Sequence, residues 1–342
     1  MRINVKNTVF IIVIVLLVCV LGVLSFFVVK KENKYKQTSA KLNSQIVSEK
    51  QNSASTQSKI DEYESQLAEG NQKRDELQSQ LDEAKKQKEA LEKENADLKR
   101  QLLAKQKAKQ EELKRLAIKN SQQSPIPENA KICYLTFDDG PSDNTLKIID
   151  ILNSYGIKGT FFVIGNSKTQ YIKNLYENGH TVALHSFSHN YTSKDGNNIY
   201  SSVDAYLADL NKISSLVESI IGQKSMIMRF PGGSSNTVSK KVCDGIMSDL
   251  TVRLPSMGYS YFDWNVSSGD AEGNRVPASK IVSNVVNGAR GKMSICVLMH
   301  DAPAKTTTVE ALPSIITSLY DMGYTFAPLS VQTYGFHHPV AN

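Results

Sequence analysis

No proline occurs before residue 125 of this 342-residue chain, all ten lie from that position onward, and Gly22 and Gly70 are the only glycines in the first 124 residues. A segment so free of breakers makes a rod or stays unfolded, so any looped globule is confined to the C-terminal two thirds. Charge divides at the same place. Residues 1–127 carry 23 Lys and Arg against 16 Asp and Glu, whereas residues 128–342 carry 17 against 18. The globular part is therefore close to neutral, and a nucleic-acid partner, which needs a basic surface near its site, is excluded. Cys19 sits in an apolar run, and Cys133, Cys243 and Cys296 are scattered without a CxxC pair. Such spacing fits neither a disulfide framework nor a thiolate zinc site. Cys133 and Cys296 read as small core residues of buried strands.

Within the rod, Thr8–Val29 runs 22 residues without a charge. At about 1.5 Å per residue that crosses a hydrocarbon core of about 30 Å. It is longer than the apolar core of a signal peptide, and SFFVVKKENK offers no small-x-small cleavage site, so residues 1–30 read as an uncleaved, single-pass membrane anchor. Lys30, Lys31, Lys34 and Lys36 behind the span outnumber Arg2 and Lys6 before it, which favours a cytoplasmic C-terminal side. Long domains translocate regardless of flanking charge, and the chemistry of the C-terminal part argues for the outside. Residues 31–119 read as a helical stalk. Counting from Ile60, the a and d positions are Ile60, Tyr63, Leu67, Gly70, Arg74, Leu77, Leu81, Ala84, Lys88, Leu91, Asn95, Leu98 and Leu102, nine of them apolar. That repeat predicts a coiled coil, with a single long helix as the alternative, and implies self-association or docking to a partner complex. Residues 60–118 would span roughly 90 Å if helical. Residues 120–130, with Pro125 and Pro127, read as a linker, residues 131–330 as the catalytic domain and residues 331–342 as a tail in which His337 and His338 are solvated.

From Lys131 apolar, β-rich runs alternate with helical patterns. The expected strands are 132–137, 159–165, 181–186, 226–230, 259–264, 294–299 and 324–329. About seven strands, apolar nearly throughout and separated by helices, predict a parallel α/β sheet buried on both faces. In about 210 residues a distorted β/α barrel is the economical closure, with a doubly wound open sheet as the alternative. Polar residues cluster at the C-terminal strand ends: Asp138 and Asp139, His185 and His189, Arg229, Asp263 and Trp264, His300 and Asp301. In a parallel barrel that rim is where active sites are built. Taken singly each has an ordinary structural reading: the Asp pair as a helix cap, HSFSH as a solvated helical turn, His300 as a buried histidine. Together, two His and one carboxylate complete the three protein ligands of a first-row metal and leave the second Asp as a base.

TFDDG at 136–140, HSFSH at 185–189, RFPGG at 229–233, FDW at 262–264 and LMHD at 298–301 resemble, in order and spacing, the five motifs of the polysaccharide deacetylases with NodB-like domains, carbohydrate esterase family 4. The resemblance covers residues 131–330 and implies a distorted β/α barrel that removes acetyl from N-acetylated sugars with one divalent metal ion, zinc or else cobalt. Carried over by position, it implies Asp139, His185 and His189 as metal ligands, Asp138 as general base and Arg229 as its orienting partner. It further implies His300 as general acid with Asp263 as the carboxylate tuning it. The backbone N–H of Gly232 would bind the oxyanion, and Trp264 and Leu298 would wall the acetyl methyl. Gly232 departs from the family pattern, which has an aromatic residue there; a wider groove with less stacking would suit branched peptidoglycan better than bare chitin oligomers. The implied protein is a membrane-anchored extracytoplasmic deacetylase of peptidoglycan N-acetylglucosamine. The alternatives are a deacetylase of chitooligosaccharides or biofilm polysaccharide, and a catalytically silent wall-binding scaffold.

Overall fold

The computed structural model describes residues 5–50, 57–193 and 197–342. Two compact units divide at Glu111 and Glu112. The first contains α1 (Val5–Lys50) and most of α2 (Gln57–Ser121). α1 carries a stretch long and apolar enough to cross a membrane. α2 is one uninterrupted helix, and of the expected seam residues Ile60, Leu77 and Leu81 are buried. Its last turns belong to the second unit, where Ile118 is fully buried in the core, so the globule begins inside the helix expected to be stalk.

The second unit alternates strands and helices as the pattern predicts: β1 (Lys131–Gly140), α3 (Asp143–Ser154), β2 (Thr160–Ile164), α4 (Tyr171–Glu177), β3 (Thr181–Ser186), α5 (Val203–Ile221), β4 (Ile227–Met228), α6 (Ile246–Ser256), β5 (Ser260–Tyr261), β6 (Val266–Ser267), α7 (Ala278–Ala289), β7 (Ser294–His300), α8 (Thr306–Asp321) and β8 (Tyr324–Phe326). All pairings are parallel, in the order β5-β4-β3-β2-β1-β7-β6, and β8 pairs with the start of β1. β5 and β6 lie at opposite edges of that order, yet only Phe262–Asn265 separates them in sequence. One short crossing segment thus joins the two edges and makes the sheet a distorted barrel. β4 and β5 are shorter than their apolar runs suggest: Asp263 N bonds Phe336 O of the C-terminal segment instead of a neighbouring strand, and the chain crosses from there to β6. The two-residue β6 has too little pattern to be read in advance.

Two apolar clusters follow from the pleat, which sends successive side chains to opposite faces. Outside, Phe137, Phe161, Leu184 and Met228 pack under the helices, with Phe137 stacked on Phe161 at 4.8 Å. Inside, Phe162, Ala183, Ile227, Phe262, Cys296 and Leu329 fill the barrel. Cys133 and Cys296 are both buried, as small core residues should be.

The C-terminal segment is not the loose tail expected. Phe336 O accepts from Asp263 N, His337 stacks on Tyr261 at 4.0 Å, and the His338 backbone N–H donates to Asp263 Oδ2 at 2.8 Å. The Asn342 side chain bonds Gly245 N and Ser239 Oγ, and its backbone O accepts from Ser248. The physical reason is unmet demand: the ends of the crossing segment bond the flanking strands through Phe262 N and Asn265 N, whereas Asp263 N and Trp264 O between them find their partners in the tail. Removing residues 335–342 should cost on the order of 2 kcal/mol, a Tm loss of about 4–8 °C measured by calorimetry.

Candidate active site

The site is built from the rim outward along β1. Asp138 points into the barrel, and the pleat would turn Asp139 away. Instead Asp139 adopts φ 69, and the register with β2 slips between Asp138 and Gly140. This bulge brings a second carboxylate to the same opening, at a backbone cost of about 1–3 kcal/mol. A Cβ at Gly140 would collide with the Asp301 carboxylate, so the third position of DDG has room only for glycine. Neither Asp caps the next helix. Ser142 does, in a capping box with Thr145, and its hydroxyl also donates to Asp301 O, tying the start of α3 to the end of β7.

His185 is the buried penultimate residue of β3, and His189 lies in the loop beyond with φ 54. HSFSH is therefore a strand end and a tight loop rather than the helical turn its spacing suggests. Asp209 of α5 builds that loop: its carboxylate accepts from Ser186 Oγ, Phe187 N and Ser188 N at 2.6, 2.7 and 3.0 Å. Ser186 Oγ in turn accepts from His189 N. Asp139 Oδ1 lies 3.4 Å from His185 Nε2 and 3.0 Å from His189 Nε2, and this buried oxygen has no hydrogen-bond partner. His185 Nδ1 donates to Arg229 O at 2.8 Å, which fixes the tautomer and leaves Nε2 as a lone-pair donor. Three donors facing one another with an orphaned carboxylate oxygen among them fit a first-row divalent ion. Burial would raise the Asp139 pKa, but the two imidazoles hold it well below the usual carboxylate range. For His185, burial lowers the pKa and the Asp139 and Asp138 carboxylates more than restore it.

Arg229 is wholly buried. Its Nη1 donates to Asp138 Oδ1 and Thr136 Oγ1, both at 2.8 Å, Nε donates to Phe262 O at 2.8 Å, and Nη2 donates to Asp263 O at 2.9 Å. The Phe162 ring lies 4.1 Å from the guanidinium carbon. One lobe of Asp138 is thereby locked beside the three-donor cluster.

His300 is the register partner of Asp138 across the β1–β7 pair. Its carboxylate partner is Asp270, not Asp263. Asp270 Oδ1 accepts from His300 Nδ1 at 2.8 Å, and Oδ2 accepts from His300 N and Thr308 Oγ1, both at 2.8 Å. The Asp263 carboxylate is spent on Ser234, N and Oγ, and on His338 N. The reason lies in the crossing segment. Asn265 N bonds Cys296 O, so Asp263 sits low in the barrel, whereas the chain after β6 climbs beside β7, Ser268 N bonding Leu298 O, and delivers Asp270 to the level of His300. Burial pulls the His300 pKa down, but the Asp270 bond and the charges of Asp270, Asp138 and Asp139 lift it to about 9.

Trp264 and Leu298 lie at the same mouth, Trp264 part-buried with its ring 5.7 Å from the Arg229 guanidinium carbon. Gly232 has φ 80, and its N–H donates to no acceptor among the described residues. The space beside Gly232 is not open, as a missing side chain would suggest: the Tyr191 ring fills it, with Cε2 3.1 Å from where a Cβ would stand. Asp209, Asp270 and Tyr191 escaped the sequence reading. Asp209 had a signal, a carboxylate on the apolar face of an amphipathic helix between Tyr206 and Leu210; Asp270 had only its place after a strand, and Tyr191 only its position two residues after His189.

The polysaccharide deacetylase family model matches residues 126–245. A peptidoglycan-N-acetylglucosamine deacetylase of Bacillus cereus is 29% identical over 247 residues, 68% of this chain and 83% of the relative. The putative polysaccharide deacetylase YheN of Bacillus subtilis is 31% identical over 205 residues, 58% of this chain and 67% of the relative. Among solved structures, the catalytic domain of a peptidoglycan N-acetylglucosamine deacetylase from Eubacterium rectale superposes with a TM-score of 0.60 at 41% identity, covering 64% of this chain and 96% of that domain.

A His300 pKa near 9 keeps the proton-donating form dominant below that pH, so acetate release should fall as pH rises through it. Asp270→Asn removes the main raising influence and should move the alkaline limb of the kcat profile to lower pH. Asp263→Asn should leave that limb in place. The reverse pattern would restore Asp263 as the partner.

Proposed function

Because the chain belongs to the polysaccharide deacetylases, hydrolases of the amide bond in N-acetylated sugars, we propose that it deacetylates the N-acetylglucosamine residues of peptidoglycan. The convergence of Asp139, His185 and His189 beside the Asp138–Arg229 pair carries this reading. A divalent ion, zinc in our reading, would supply Lewis acidity toward the acetamide carbonyl and acidify an attacking water. Asp138, one oxygen of which Arg229 engages, accepts the proton of that water as general base. The free Gly232 N–H donates to the carbonyl oxygen as negative charge develops on it. His300, kept protonated by Asp270, gives its proton to the departing nitrogen, which without it would leave as an unfavourable amide anion. Trp264 and Leu298 wall the acetyl methyl.

The peptidoglycan substrate is supported by the relatives named for that activity in Bacillus cereus and Eubacterium rectale. Residues 1–30 act as a single-pass anchor, residues 31–111 as a stalk that self-associates or docks to a wall complex, and the catalytic domain works outside the membrane. An intact donor set, base and acid speak against a silent scaffold.

Chelator-treated protein should lose acetate release from wall glycan and regain it with zinc or cobalt. Zinc affinity should fall on the order of tenfold or more from pH 8 to pH 6, because His185 takes up a proton in competition. Asp138→Asn and His300→Ala should each keep bound zinc, measured by mass spectrometry, while losing about 10²- to 10⁴-fold in kcat. Zinc loss in His300→Ala would make it a ligand instead. Protease added outside wall-stripped cells should cut the stalk ahead of Glu112 and release a soluble active domain that keeps Ile118; protection there would place the domain in the cytoplasm.

A further inference from the structure

Two consecutive glycines come after the buried Arg229-Phe230-Pro231 run, and both are left-handed, Gly232 at φ 80 and Gly233 at φ 81. Their faces are not equivalent. A Cβ on Gly232 would lie 3.1 Å from Tyr191 Cε2, and a Cβ on Gly233 would lie 3.0 Å from Trp264 Cη2. The bare backbone ribbon therefore has an aromatic ring on each flank. Both rings reach it because neither glycine has a side chain to hold them off.

Tyr191 is also held in place from behind. Its ring meets His189 edge-on at 5.1 Å and Tyr200 edge-on at 6.4 Å. Tyr200 is fully buried, stacks on Tyr206 at 5.5 Å, and donates its hydroxyl to Pro231 O at 2.9 Å, so it braces Tyr191 and the start of the glycine ribbon together. Asn198 Nδ2 pins the Tyr191 carbonyl at 2.9 Å. Tyr191 is only half-buried despite this bracing, and its edge-on contact with His189 sets the ring beside the three-donor cluster.

We propose that Tyr191 is a sugar-stacking residue of this enzyme: its ring, paired with Trp264 across the Gly232–Gly233 ribbon, forms the second aromatic wall against which the pyranose bearing the scissile acetamide packs. This rests on the proposed deacetylase function and adds to it the residue that sets glycan affinity. The C–H face of a pyranose is apolar, and a fixed ring offers it contact without ordering a flexible side chain. The wall missing from residue 232 is thus supplied from the loop after β3, and linear N-acetylglucosamine oligomers gain the stacking that Gly232 alone would deny them.

The test uses the full chain in detergent, with Tyr191→Ala and Tyr191→Phe beside the wild type. Binding of the N-acetylglucosamine tetramer is measured by calorimetry on metal-free protein, and KM, kcat and zinc content on loaded protein. Tyr191→Ala should weaken tetramer binding and raise KM on the order of five- to tenfold, with a smaller change in kcat and one zinc retained. Tyr191→Phe, which keeps the ring, should rescue both. Wild-type binding and KM in Tyr191→Ala, failure of Phe to rescue, no tetramer binding by the wild type, or a loss tracking zinc release would each overturn the proposal, the last reducing the ring to a brace for His189. Tetramer binding that depends on Tyr191 in a wild type that releases no acetate would uphold the stacking role and reject the deacetylase reading.

Discussion

Everything at the barrel mouth depends on one buried charge. The Arg229 guanidinium has no exposed surface, and a cation so placed is tolerated only when paired and fully hydrogen-bonded. Its donors are spread over β1 through Thr136 and Asp138, over the crossing segment through the carbonyls of Phe262 and Asp263, and over β7 through Cys296 Sγ at 3.3 Å. Phe162 of β2 lies against its face. Four parts of the barrel are thereby referred to a single planar group. Because that group is planar and its fork rigid, they are held at fixed distances from one another.

From that fixed point three charge systems are set side by side. Asp138 takes its charge balance from Arg229, His300 from Asp270, and the Asp139–His185–His189 cluster is held by a backbone carbonyl and by the Asp209 cradle. The bulge at Asp139 is what allows two consecutive residues to serve two of these systems, since an unbroken pleat would send one of them into the helical layer. Arg229 contributes twice, as its side chain holds Asp138 while its carbonyl orients His185. The Asp138 carboxylate and the Asp139–His185–His189 cluster are coupled through one residue at the end of β4.

The tail and the glycine ribbon shape the cleft around these groups. Asp263 spends its carboxylate on Ser234 and His338, so it joins the ribbon to the C-terminal segment. His338 reaches further, with Nε2 at 2.6 Å from Trp264 O and its ring edge-on to the indole at 4.8 Å. A residue that looked like solvated chain thus fixes an aromatic wall. The segment that closes the barrel is also the one that carries Trp264 at its mouth.

Local pattern was enough to read the helical first third, the alternation of strand and helix and the five clusters at the strand ends, because each is written within a few residues by period, by breakers and by where an apolar run stops; the choice of a barrel over an open sheet came with the family resemblance. The resemblance of their motifs to the deacetylase family then singled out Asp139, His185, His189, Asp138, Arg229 and His300. What only the tertiary structure decided was pairing. Asp263 and Asp270 stand seven residues apart in one short stretch, and which of them meets His300 depends on how far the chain has climbed beside β7, a register that no local period encodes. The same holds for Tyr191 beside Gly232 and for His338 beneath Trp264, contacts across 41 and 74 positions of the chain. Hydrophobic periodicity fixes the face and the end of an element, whereas the partner of a polar group is set by which distant backbone arrives within hydrogen-bond reach after the sheet has closed.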